Sequence, residues 1–283
     1  VTSLLPVRWH PALWAGVVLV GLAYVLATRR GRFAATRGQR ARFVLALALF
    51  VIACGWPLGD LAAHVSLTAL VVQRLVLMLA IAPLALSGLP DELLLVATRP
   101  RPIDRVLVAL GHPGAAIAFV TVAGTVTLVP TVVRWGSDSQ AARWVLVLAT
   151  LLIGVVLWLP VLGSAPGTRR LSDMAKAAYC FISALVVTSL SVVWIFARHP
   201  LYPSLTGQRA ILGISPLLDQ QLAGFVAKLG AYVPMWIVAF VLFARAGDGE
   251  ERGDPTLRWV DVQRQFERAE RRGGVPLGDG SPT

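Results

Sequence analysis

The chain has 283 residues, of which 56% are hydrophobic and only 14% charged, with a mean hydropathy of +0.70. A water-soluble domain carries nearer a quarter charged residues, so this composition argues against a soluble enzyme and for an integral membrane protein. The net charge of +11 is almost all arginine, since Lys176 and Lys228 are the two lysines.

A bilayer core is crossed by about 20 predominantly apolar residues. Seven stretches supply them: 11–28, 43–59, 66–88, 113–133, 144–163, 177–197 and 217–244. None alternates with period two, so they read as helices rather than strands of a membrane barrel. The second is the weakest, because Gly55, Pro57 and Gly59 interrupt its far end. The first run is followed, not preceded, by its arginine cluster, which suits an anchor rather than a signal peptide.

The basic residues then orient the chain. The loop after the first helix, the third-to-fourth and fifth-to-sixth loops and the tail carry nineteen Lys and Arg, against five on the opposite side. This split predicts an outer N-terminus and a cytoplasmic C-terminus. The basic excess therefore reads as topology and anionic-lipid contact, not as a nucleic-acid surface. Residues 1–246 are expected to form one all-α bundle of seven transmembrane helices, and 247–283 a cytoplasmic tail. Within the tail, Asp254 and Pro255 predict the start of a short amphipathic helix reaching about Arg272. Residues 90–111 hold two short apolar pieces split by Pro100 and Pro102, which fit the inner membrane interface.

Ionisable groups inside a membrane are costly, and each is a candidate for function. Arg74 falls about eight residues into the third helix, roughly 12 Å deep at 1.5 Å per residue. Lys228 sits at a similar depth in the seventh. Asp60, His64, Gln73, Asp219, Gln220 and Gln221 gather with them in the outer half. The structural alternative for Arg74 is a buried salt bridge to Asp219 or Asp60. Asp219 has its own structural account, as a first-turn carboxylate behind a Ser215 cap and Pro216. The four histidines, His10, His64, His112 and His199, form no i,i+3 or i,i+4 pair, so no helix presents a two-histidine metal face. Cys54 and Cys180 lie far apart in apolar runs, and nucleotide-binding and hydrolase signatures are absent.

The segment GISPLLDQQLAG, residues 213–224, resembles the signature P-L-x-D-Q-q-x-A-G that opens the last helix of CtaG-type assembly factors of cytochrome c oxidase. The opening Trp9–His10–Pro11, residues 75–90 and residues 154–163 are similar to that family's first, third and fifth helices. The likeness spans residues 9 to about 245. It implies a bundle of seven helices, a bacterial inner-membrane location, and a role in maturing a haem–copper oxidase at copper insertion. Oxidase subunits or copper-delivery proteins are the implied partners beside the bilayer. The family's histidines do not carry over. The two His of its third-helix H-M-x-Q-H read Leu70 and Arg74, with Gln73 kept; its W-H-x-P reads Thr127 to Pro130; its E-H pair reads Leu146 and Val147. Cu(I) prefers thiolate, thioether or imidazole donors, and a guanidinium repels it.

The sequence is thus read as a divergent CtaG-like assembly or accessory factor, not an enzyme, without the usual copper ligands and with no assigned metal site or cofactor. Asp219, Gln220 and Gln221 are its expected outer site, Gln73 and Arg74 the altered floor, and Asp60, His64 and Lys228 additional polar partners. The competing reading is a small-solute transporter working through Arg74, Lys228 and Asp219. A lipid-diphosphate enzyme ranks third, for want of an Asp-rich motif.

Overall fold

The computed structural model describes residues 9–29, 33–163, 171–202, 205 and 213–253. Among them every regular element is helical. In chain order these are α1 (Pro11–Arg29), α2 (Arg37–Cys54), α3 (Leu58–His64), α4 (Leu67–Leu75), a π-helical turn (Val76–Ile81) and α5 (Ala82–Gly88). There follow α6 (Asp91–Ala97), α7 (Arg101–Leu110), α8 (Pro113–Val126), α9 (Pro130–Asp138), α10 (Gln140–Leu162), α11 (Asp173–Val187), α12 (Leu190–Phe196) and α13 (Pro216–Gly253).

Five helical stretches are long and apolar enough to cross a bilayer, and up to seven if each of two bent pairs is one span. The five are 11–29, 67–88, 140–162, 173–196 and 216–247. The second expected span instead bends by 47° between α2 and α3, at the Gly55 and Pro57 positions. The fourth also departs from the expected continuous 113–133 helix. It stops at Val126 and restarts at Pro130, because proline has no N–H to continue the ladder and forces Val129 to extended backbone (ψ 135°). Upstream of it, α7 meets α8 at 97°. The last helix runs to Gly253, past the expected boundary at residue 246. The expected tail helix beyond Asp254 lies outside the described residues.

Large apolar side chains cover the outside of the bundle; on α13 alone Leu229, Ile237 and Phe240 are 58–66% exposed. Water would not tolerate such continuous apolar faces, whereas lipid does.

The span α4–π–α5 is the hub, packed by α2, α10 and α13. Its π turn follows from Pro83. In the widened ladder Ala82 N–H donates to Leu77 O, five residues back, and Pro83 has no N–H to give Met78 O. That carbonyl accepts instead from the Trp158 indole N–H at 2.9 Å. Gly154, one turn earlier on α10, lets the helices approach: a Cβ there would stand 2.7 Å from Met78 Cα. At the other end of the hub, the last α5 carbonyls have no partner within their own helix. Arg42 donates to Ser87 O, Tyr24 to Gly88 O and Gln39 to Leu89 O, so α1 and α2 cap α5. Tyr24 also stacks on Phe43, centroids 3.9 Å apart.

Candidate functional site

At one end of the bundle, Asp219, Gln220 and Gln221 each tie α13 to a different segment. The Asp219 carboxylate accepts from the Ser66 hydroxyl and from Leu67 N–H, both at 2.7 Å, and so caps the start of α4 from another helix. The Thr68 hydroxyl donates back to Asp219 O at 2.9 Å. Gln220, 2% exposed, accepts Leu201 N–H on Oε1 at 2.6 Å. Gln221 donates to Ala197 O, beyond the end of α12, at 3.4 Å. Ser215 caps α13 itself through Leu218 N–H, as its sequence predicts. Gly224 lets α12 and α13 touch, since a Cβ there would stand 2.9 Å from Ser191 O. The three motif residues therefore form an interhelical seam.

Two turns along α4 from that seam lie Gln73 and Arg74, both buried. Gln73 Nε2 donates to Ala53 O at 2.9 Å. In a continuous helix that carbonyl would receive the N–H of residue 57, which is proline. Arg74 donates through Nη2 to the Thr127 hydroxyl. The expected salt bridge from Arg74 to Asp219 or Asp60 is not formed. Asp219 is committed to the α4 cap, and Asp60 pairs with His10 Nε2 at 3.1 Å. The floor residues and the motif residues thus occupy separate levels and do not touch one another through any hydrogen bond among the described residues.

Arg74 lines two cavities. One, about 90 Å³, is mainly apolar and lies toward α8, α11, α12 and α13, with Ser183, Thr188 and Ser191 in its wall. The other, about 40 Å³, lies among α3, α4, α9 and α10 and is also lined by Arg143, Gln73, Thr127 and Thr150. His64 lies beside Arg143, its Nε2 3.2 Å from Arg143 Nη2. Lys228 faces elsewhere, 5.2 Å over the Tyr232 ring, which stacks on Trp236. Tyr202, beyond α12, donates to Leu128 O and receives the Trp194 indole N–H. Burial pushes its phenol up to about 12, against the opposing pull of the Arg74 guanidinium.

Residue reasoning missed Arg143 and His10 as site neighbours. Arg143 looks like a loop charge until α10 is seen to begin at Gln140 behind the Ser139 cap, which puts Arg143 in its first turn. The signal was the Ser139 cap position itself.

The chain matches the family model described as cytochrome c oxidase caa3 assembly factor (CtaG) over residues 22–247. It belongs to the CtaG family. No curated protein and no solved structure matches it.

Residues that the sequence resemblance sets against that family's histidine-bearing motifs fall on the two cavities. Leu70, Arg74, Thr127, Leu146 and Val147 all line the 40 Å³ cavity, and Leu128 lines the larger one. Copper is the metal that resemblance to CtaG implies. The smaller cavity is lined by no thiolate, thioether or imidazole and by two guanidinium side chains, a set that does not fit Cu(I). The two cysteines, Cys54 and Cys180, are buried and free, and neither lines it.

Proposed function

We propose that this CtaG-family chain assists the assembly of a haem–copper cytochrome c oxidase in the bacterial inner membrane, without holding copper at the family's histidine positions. It acts by binding oxidase subunits or copper-delivery proteins rather than by catalysing a reaction. Family membership over residues 22–247 is the observation that carries the assembly role. The apolar and cationic residues at the aligned positions support the loss of direct copper binding. The chain crosses the membrane seven times, with the bent pairs α2–α3 and α7–α8 each serving as one broken span. The N-terminus is outside and the tail cytoplasmic, a reading supported by the arginine distribution.

The test is a reduced-minus-oxidised haem spectrum, with oxidase activity, on membranes from a deletion strain and its complemented control. Selective loss of the a-type oxidase signal, restored by complementation, is the expected result. An unchanged oxidase signal and activity in the deletion strain would overturn the assembly role.

A further inference from the structure

We propose that the cavity of about 90 Å³ among α4, α8, α11, α12 and α13 binds the end of one phospholipid acyl chain, admitted sideways from the bilayer. Helix interruptions in three spans meet on it. The π turn supplies Met78 and Leu79, the last turn of α8 supplies Gly124 and Thr125, and the break between α11 and α12 supplies Val187 and Thr188. Regular helices close their interfaces ridge into groove, and each interruption breaks that pattern. Irregular backbone at membrane depth persists where protein covers it or where it lines a cavity. An empty apolar space costs stability in proportion to its volume, and a guest removes that cost.

The wall fixes the guest's chemistry. It is built mainly of Leu, Val, Ala and Met side chains. Two of its hydroxyls are turned onto backbone, Thr188 on Ala184 O at 2.7 Å and Ser191 on Thr188 O. Ser183 Oγ is buried within reach of the Tyr179 phenol. Arg74 lends this wall its stem, because its Nη2 donates to Thr127, which lines the smaller cavity and not this one. A space so lined selects hydrocarbon.

Size fixes the guest's shape. An apolar cavity of roughly 150 Å³ holds benzene, so about 90 Å³ holds about three or four carbons. That suits a slim chain end and is too small for a quinone or haem ring. Half-buried Thr125, Val187 and Leu190 join the cavity to the outside of the bundle, where Val126 and Val186 are exposed. Acyl chains make up the hydrocarbon core that this outside faces. The inference does not rest on the oxidase reading.

The test is photolabelling of the full-length protein in phosphatidylcholine vesicles that carry a phospholipid with a diazirine at the methyl end of one chain. Met235 and Ser191 line the cavity and are each 2% exposed, so a lipid lying against the outside of the bundle does not reach them. Peptide mapping is expected to find label on both, as well as on the lipid-facing Phe225 and Leu229. A probe with its diazirine beside the ester is expected to leave Met235 and Ser191 unlabelled. In Ala231→Leu, whose larger side chain fills the space, their label should disappear while that on Phe225 and Leu229 stays. Ala184→Leu fills the same space from α11 and replaces that variant if it does not fold. Label confined to lipid-facing residues in the wild type, equal labelling of Met235 and Ser191 by both probes, or undiminished label on them in a folded filling variant would each overturn the proposal.

Discussion

Gln73 Nε2 lies 2.9 Å from the carbonyl oxygen of Ala53, the acceptor that Pro57 leaves without an in-helix donor. Gln73 thus repairs a break in the neighbouring span. Replacing it by Leu leaves a buried carbonyl unpaired, which costs about 1–3 kcal/mol. Gln73→Glu removes the same donor and is expected to be no better. Thermal melting of both variants in detergent checks this; melting equal to wild type would show that Ala53 O is satisfied some other way.

Asp219 caps a helix that is not its own. Its carboxylate receives Ser66 Oγ–H and Leu67 N–H, both at 2.7 Å, so two spans far apart in sequence are held at one end. Asp219→Ala should lower stability by about 0.5–2 kcal/mol, the usual range for a lost helix cap. Asp219→Asn keeps an acceptor and should lose less. The ranking wild type, Asn, Ala in melting temperature or membrane abundance is the expected outcome, and equal abundance of all three contradicts the cap.

Gly154 sets the distance between α10 and the π turn. A methyl group there would stand 2.7 Å from Met78 Cα and 3.0 Å from Ala82 Cβ, both on rigid backbone. Gly154→Ala should therefore destabilise by about 1–3 kcal/mol through overpacking. It should also weaken the Trp158 bond to Met78 O, visible as a change in indole fluorescence. Wild-type melting and fluorescence together would contradict the tight approach.

Five of the expected spans were legible in sequence because a run of apolar residues about 20 long has few other uses. Helix starts were legible where Ser or Pro stood at the cap, as at Ser215–Pro216 and His112–Pro113. The break at residues 127–129 was hidden because Pro is tolerated in membrane helices, and Pro234 does stay inside α13. The π turn was hidden because its cause is Pro83 and its rescue is Trp158, far away in sequence. The candidate site was legible only as a set of polar residues in one half of the bundle. Polarity cannot say that Asp219 reaches Ser66 while Arg74 reaches Thr127, since those partners are fixed by helix packing.

The proposed topology rests on the arginine distribution and can be tested directly. A green fluorescent protein fused after residue 283 should fluoresce, and alkaline phosphatase at the same place should be inactive. The reverse pair of signals contradicts the proposed orientation.

The central claim is a CtaG-family chain that serves the oxidase without copper at the Arg74 cavity. The most direct measurement is the copper content of the protein purified from copper-supplemented cells under reducing conditions, using a preparation whose gene restores the oxidase in the deletion strain. The account predicts copper far below one ion per chain. One tightly held copper per chain, lost on substitution of residues lining that cavity, would contradict it.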